Sequence, residues 1–462
     1  MIHAYSLGGY HIALDVYSGS VHVMDGLSLR AVRLFERLDR RQTMECLRKE
    51  YPGHPDSEPE ALKSLLDELD ALKDAGLLYS PDDYSRCANR LREKDSPVKA
   101  LCLHVAHACN LACSYCFAGQ GNYHGSSALM SLETGRKALD FLVAHSGGRR
   151  NLEVDFFGGE PLLNWDVVKG LVHYGRELEK QHGKAFRFTL TTNGVLLNEE
   201  VIDFCNREMH NVVLSLDGRP EVHDRFRVDR QGRGSYGQVV PAFRRLAEAR
   251  GGKGYYVRGT YTRNNLDFLR DVLHMAELGF TQLSMEPVVA PSDSPDALKE
   301  EDLPQLFEQY EQLAFEMLKR KREGRGFDFY HYNIDLRHGP CVHKRLAGCG
   351  SGTEYLSVTP NGDLYPCHQF VGEEAFRMGD LGSGVTNRAL REAFRSNVLA
   401  SRPECENCWA KLYCAGGCAA NASHAAGSIR GVYRLGCELF KKRIECAIML
   451  QAALEEEAPS GA

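Results

Sequence analysis

The sequence predicts an α/β protein built on an incomplete, parallel (β/α)6 barrel, with a small hairpin-and-helices unit before it and a cysteine-bearing unit after it. Three observations carry this. Six strand-like runs alternate with helix-like segments between residues 99 and 290. The first 80 residues form a pattern of their own. Beyond residue 338, apolar periodicity weakens while nine of the 16 cysteines accumulate.

Composition bounds the function. The 462 residues are 43% hydrophobic and 26% charged, with a formal net charge of −6. This is ordinary globular composition and gives no support to a nucleic-acid or anionic-membrane partner. The opening MIHAYSLGGYHIALD has no basic start followed by an apolar core, so a secretory signal is not expected. No uncharged apolar run reaches the roughly 18 residues of a membrane span. The expectation is a cytoplasmic protein, in which so many cysteines point to metal or redox chemistry rather than disulfides.

The elements follow in order. Ile12, Leu14 and Val16 alternate, Ser18-Gly19 marks a turn, and Val21 and Val23 alternate again, which predicts a β-hairpin. Ser28 is the expected cap of a helix carrying Val32, Phe35 and Leu38. A short helix at Met44–Lys49 follows, then a helix with Leu62, Leu65, Leu66, Leu69 and Leu72 that Gly76 stops. A hairpin on about three helices is winged-helix-like, over residues 1–80, and a polar linker spans 81–98. The barrel, 99–290, has strands at Ala100–Ala106, Leu152–Phe157, Phe186–Thr191, Val212–Leu216, Tyr255–Tyr261 and Leu283–Val288. A bridge at 291–337 holds an amphipathic helix at Pro304–Lys319; a metal-organised unit is expected over 338–450, and a fraying tail over 451–462.

The chemistry begins with Cys109, Cys113 and Cys116, spaced C-x3-C-x2-C directly after the first barrel strand. Three such thiolates can hold three irons of a 4Fe–4S cluster and leave the fourth open. A zinc site would want a fourth ligand, for which His124 is the nearby candidate. Gly158-Gly159-Glu160 follows the second strand: two glycines permit close backbone approach, and a carboxylate pairs with an ammonium. Thr191-Thr192-Asn193-Gly194 ends the third strand, Ser215-Leu216-Asp217-Gly218 the fourth, and Arg258 sits on the fifth.

This combination resembles the radical S-adenosylmethionine (SAM) superfamily. The resemblance implies SAM as cofactor, with the methionine amine at Gly158, Gly159 and Glu160. It also implies polar contacts from Asn193, Ser215 and Asp217, a carboxylate partner in Arg258, and adenine contact from Tyr115. Glu286, ending the sixth strand, has no assigned role. No general base is assigned; Asp155, His338 and His368 lie near ligand segments without distinguishing themselves.

The second constellation is Cys349, then Cys367, then Cys405-x2-Cys408-x5-Cys414-x3-Cys418 and finally Cys437. It resembles the SPASM extension of radical SAM enzymes, which holds two auxiliary 4Fe–4S clusters, three clusters in all. The resemblance implies a distal set of Cys405, Cys408, Cys414 and Cys437 and a proximal set of Cys349, Cys367 and Cys418. Cys341 either completes the proximal set or leaves that cluster an open iron for a substrate thiolate. A pair of zinc knuckles is the plain alternative. Cys46, Cys87, Cys102, Cys205 and Cys446 fit no spacing and are expected as apolar fillers or surface thiols.

Leu103–Leu111, Phe117-Ala118, Gly8-Gly9-Tyr10 and Val21-His22-Val23 resemble the maturases of SCIFF peptides, short cysteine-rich precursors. The first domain is then similar to a leader-recognition element, which adds the precursor's leader as an edge strand. The implied reaction is a 5′-deoxyadenosyl radical abstracting hydrogen from a peptide carbon, on threonine or another residue, followed by a thioether bond to a deprotonated peptide cysteine, with the surplus electron passing to the auxiliary clusters. Reduced flavodoxin or ferredoxin is the implied electron donor. The rivals are an anaerobic sulfatase-maturing (formylglycine-generating) enzyme, a maturase forming C–C or ether bonds, and a non-catalytic iron–sulfur scaffold. A transcription factor is disfavoured because acids interrupt Arg30, Arg33, Arg37, Arg40 and Arg41.

Overall fold

Three antiparallel strands open the chain: β1 (Ile2–Leu7), β2 (Tyr10–Asp15) and β3 (Val21–Met24), in the order β1-β2-β3. In this computed structural model residues 1–84, 87, 96–123, 125, 127–336 and 341–456 are described. The sequence hairpin corresponds to β2 and β3, and β1 is an additional strand. Gly8 and Gly9, both with positive φ, make the two-residue β1–β2 turn that pairs Leu7 with Tyr10. Helices Gly26–Phe35, Arg40–Glu50 and Pro59–Asp74 follow. The first is capped by Asp25, whose carboxylate accepts from Ser28 N, so Ser28 lies inside the helix it was expected to cap. Arg30, Arg40 and Arg41 each pair with carboxylates of the same unit.

This unit is not independent of the rest. One sheet face, with Ala13, packs its own helices through Leu27, Val32, Leu62 and Leu66. Tyr5, Leu7, Ile12 and Leu14 belong instead to the core shared with the barrel. His3 stacks on Trp409 at 3.7 Å and bonds Glu445 at 3.0 Å, while the Tyr5 hydroxyl donates to the Glu445 carbonyl. The strands therefore seat on the C-terminal segment. Most of the expected linker lies outside the described residues.

The barrel strands are β4 (Ala100–His107), β6 (Asn151–Gly158), β7 (Ala185–Thr192), β8 (Asn211–Ser215), β9 (Tyr256–Tyr261) and β10 (Gln282–Pro287), with the short β5 (Ala128–Leu129) beside β4. The six are parallel neighbours in that order, each within a residue or so of its sequence expectation. Apolar residues at alternate positions, such as Val154 and Phe156 or Phe186 and Phe188, form the buried face. β4 differs: all eight of its residues are buried, as a strand covered on both faces must be.

The sheet continues past the barrel at both edges. β11 (Asp328–Phe329) joins β10. β12 (Tyr355–Val358) pairs in parallel with β4, and β13 (Asp363–Tyr365), β14 (Gly379–Asp380) and β15 (Gly384–Val385) extend it antiparallel. The cysteine-rich unit is thus organised partly by sheet, where the sequence suggested organisation by metal. The bridge helix runs Leu303–Arg322 and packs on the last helix, Arg434–Glu456, which continues through residues expected to fray.

Glu354 fastens the β12 side to the barrel. Its carbonyl accepts from Lys99 N and Ala100 N, and its buried carboxylate pairs with Lys99, Arg149 and His343 at 3.0–3.1 Å. Burial pushes this carboxyl up, but the hydrogen bond from Lys99 and the neighbouring Lys99, His343 and Arg149 prevail and hold it below its ordinary range. The contribution is therefore present at neutral pH and lost as pH falls through the carboxylate range. Glu354→Gln is expected to lower unfolding free energy by about 1–2 kcal/mol, a value discounted because the cationic partners are about a third exposed. Anaerobic urea unfolding at neutral and acid pH checks this; the difference from wild type should vanish in acid.

Candidate active site

The C-terminal ends of the barrel strands surround a cavity of about 470 Å3 that the β12 side closes with His368, Gln369 and Cys418. Active sites of parallel barrels occupy this end of the strands. Cys109, Cys113 and Tyr115 from the loop after β4 line it, with Gly158, Gly159 and Glu160 after β6. Asn193, Ser215 and Arg258 come from the ends of β7 and β8 and from β9. Cys116 packs just behind, against the cluster of Tyr123 and Phe370.

The glycines are required by the chain itself. Gly159 N donates to Ala106 O and Glu160 N to Ala108 O, so this loop is laced to the end of β4. A Cβ on Gly159 would lie 2.2 Å from Ala108 O; on Gly158, at φ +127°, it would lie 2.3 Å from Ala106 O. The pair therefore brings Glu160 against the cysteine loop as well as leaving room for a ligand.

Glu160 is fully buried and accepts from Leu162 N, Thr192 Oγ1 and Asn193 N at 2.8–3.0 Å. Burial pushes its carboxyl up to about 7 against these hydrogen bonds. Such a carboxylate is fixed in position and suited to an ammonium. Asn193 links it to the cysteine loop, donating from Nδ2 to Asn110 Oδ1 at 2.8 Å, with Cys109 Sγ at 3.7 Å. Burial pushes the Cys109 and Cys113 thiols up to about 11 and about 12. These are thiols that a metal must deprotonate on binding.

Asp217, expected to face the cofactor, does not line the cavity among the described residues. It is fully buried beneath it, where its carboxylate accepts from Arg227 Nε and Nη2, from the Tyr115 hydroxyl at 2.5 Å and from Thr260 N. It anchors two side chains that do line the cavity, Tyr115 and Arg227. Arg227 had no distinguishing signal in sequence, being one of several arginines in a short basic stretch. Glu286 lines the far wall, 3.3 Å from His331 and 3.6 Å from Arg443. Burial pushes its carboxyl up, yet His331, Arg443 and Arg258 together hold it below its ordinary value. Its partners come from three distant segments, which only tertiary packing reveals.

In the distal set expected from the sequence, burial pushes up the thiols of Cys405, Cys414 and Cys437, with Cys408 adding to each; in the proximal set burial pushes up those of Cys367 and Cys418, with Cys349 adding to both. Among the described residues no three His, Cys, Asp or Glu side chains converge as on a single metal ion. Each set supplies the thiolate donors an iron–sulfur cluster takes. Cys341 is exposed at the start of helix Val342–Ala347. Of the unassigned thiols, Cys102, Cys205 and Cys446 are buried and Cys46 and Cys87 partly so. His124 and His338 lie outside the described residues. His368 lines the cavity, with burial holding its pKa down to about 4; Asp155, on β6, is pushed up to about 6 by burial.

These features define an α/β radical SAM fold with a C-terminal SPASM domain, a scaffold for SAM and multiple 4Fe–4S clusters. Residues 103–271 match the radical SAM superfamily, and residues 349–409 match the SPASM iron–sulfur cluster-binding domain. The chain is 26% identical over 372 residues to the serine-type anaerobic sulfatase-maturating enzyme of Klebsiella aerogenes, covering 73% of this chain and 84% of that one. Among solved structures it resembles anSMEcpe with bound AdoMet (TM-score 0.64, 20% identity, 78% of this chain and 100% of that one). It also resembles Streptococcus suis SuiB bound to precursor peptide SuiA (TM-score 0.51, 16% identity, 91% and 95%). No helix among the described residues is long and apolar enough to cross a membrane.

Two outcomes follow from the site. Gly158→Ala should displace the Glu160 loop and weaken SAM binding at least about tenfold, roughly 1.4 kcal/mol, in anaerobic equilibrium dialysis; unchanged affinity would contradict the packing argument. SAM affinity should rise from about pH 6 to about pH 8 as Glu160 ionises, then level off. Glu160→Gln should be weaker and flat over that range.

Proposed function

We propose that the protein is a peptide maturase that installs thioether crosslinks, from cysteine to threonine or another residue, in a ribosomally made cysteine-rich precursor of the SCIFF kind. In this reading Cys109, Cys113 and Cys116 bind three irons of the SAM-binding cluster. Glu160, between Gly159 and Asn193, receives the methionine ammonium and Arg258 its carboxylate. Ser215 and Asn193 supply polar contacts, and Tyr115, held by Asp217, supports the adenine. When bound, SAM on its cluster supplies a 5′-deoxyadenosyl radical able to take hydrogen from carbon. The β12 side shields that chemistry from water.

Cys405, Cys408, Cys414 and Cys437 hold the distal auxiliary cluster, and Cys349, Cys367 and Cys418 the proximal one, with Cys341 as the optional fourth thiolate. Cys418 lines the cavity, so the proximal set borders the space where a peptide cysteine would be presented. Reduced flavodoxin or ferredoxin is the proposed electron donor.

One observation carries the peptide reading: a three-stranded unit precedes the barrel and seats on the cluster-bearing segment through His3, Tyr5 and Trp409. Among the described residues its outer strand β3 pairs with β2 alone, and it exposes Val23, as strand addition by a leader requires. The coverages agree with an extra unit. anSMEcpe is spanned in full by 78% of this chain, whereas SuiB, solved with its precursor peptide, matches 91% of it. The sulfatase-maturating alternative, an oxidation of Cys or Ser to formylglycine, has the identity to the Klebsiella enzyme in its favour. A short sulfatase motif would leave the first domain unused.

Anaerobic incubation of the reconstituted protein with SAM, reductant and a cysteine-rich precursor, followed by mass spectrometry, separates these readings. The expected product has lost two hydrogens per link, with a matching loss of alkylatable thiol. SAM cleavage at constant thiol titre would overturn thioether formation; conversion of a sulfatase peptide instead would favour the alternative.

A further inference from the structure

Arg402 is 4% exposed, and among the described residues no carboxylate pairs with it. Its guanidinium donates only to two carbonyls, Gly431 O at 2.5 Å and Ile429 O at 2.8 Å. A buried cation with only neutral partners is costly unless anions lie close. The groups beside it that become anions on binding metal are cysteine sulfurs from both expected auxiliary sets. The side chain lines a cavity beside Cys349 and another, of about 290 Å3, beside Cys414, Cys418 and Cys437. It passes so close to Gly416, between Cys414 and Cys418, that a Cβ there would lie 3.0 Å from Arg402 Cδ and Nε. Its main-chain carbonyl accepts from Cys405 N, tying it to the first distal ligand.

We propose that Arg402 is the shared counter-charge of the two auxiliary clusters, a positioning residue that raises both of their reduction potentials. This rests on the reading that the two cysteine sets hold clusters. A fixed positive charge stabilises the reduced, more negative state of a nearby cluster more than its oxidised state. Because it lines cavities that cysteines of both sets also line, one guanidinium acts on both, while Arg227 lines the cavity beside Cys109 and Cys113 instead.

The test is an EPR-monitored redox titration of the reconstituted holoenzyme, after iron analysis. Wild type should carry roughly twelve irons per chain; about four would overturn the cluster reading itself, before Arg402 is touched. In Arg402→Gln, the reduced-to-oxidised ratio of both auxiliary clusters at fixed potential should fall about tenfold, roughly 59 mV for one electron, with the SAM-binding cluster unmoved. Arg402→Lys, which keeps the charge but not the fork of hydrogen bonds, should restore most of the shift. If the Gln variant fails to load iron while the Lys variant loads with near wild-type potentials, the charge is still identified as the needed feature. Unchanged potentials, a shift of one auxiliary cluster only, an equal shift of all three, equal effects of Gln and Lys, or loss of iron in both variants would each overturn the proposal.

Discussion

Strand β4 is the constraint on which the rest of the molecule depends. It is buried along its whole length, paired in parallel with β6 of the barrel on one side and β12 of the SPASM domain on the other. Its end leads directly into the cysteine loop, and the carbonyls of Ala106 and Ala108 there bind the Gly159 and Glu160 amides. One strand thereby fixes the first thiols, the carboxylate of Glu160 and the approach of the proximal cysteine set. Because a register shift of one residue would turn every side chain to the other face, these groups are positioned as accurately as the sheet itself.

The same continuity joins the three units through shared contacts. The barrel cavity is closed on one side by His368, Gln369 and Cys418. The first domain in turn rests on the segment that carries Cys405 and Cys408, with Trp409 as the contact. A peptide held by the first domain would therefore be tethered to the part of the molecule that bears the distal thiols. Tethering of this kind replaces an encounter in solution by a local one.

Most of the barrel was legible in sequence because its strands alternate strongly and end in turn residues, so that Leu152–Phe157 and Phe186–Thr191 needed no tertiary knowledge. The spacing of the thiols was visible in the sequence itself. What escaped was what depends on long-range contact. β1 carries His3 and Ser6 among its apolar residues, and these bond to Glu445 and His11. β12 to β15 are two to four residues each, too short for periodicity, and are defined by pairing with β4 and one another. Asp217 looked like a strand-end ligand group, but Arg227, ten residues on, draws its carboxylate down beneath the cavity. Glu286 was visible at a strand end; the His331 and Arg443 that surround it were not.

The central claim is that β4 carries a SAM-responsive site spatially separate from two further clusters. The most direct measurement is EPR and iron analysis of a variant with Cys109, Cys113 and Cys116 all replaced by Ala. About eight irons should remain, with auxiliary signals intact and no spectral change on adding SAM. Retention of a SAM response, or collapse of all iron binding in a folded protein, would contradict it.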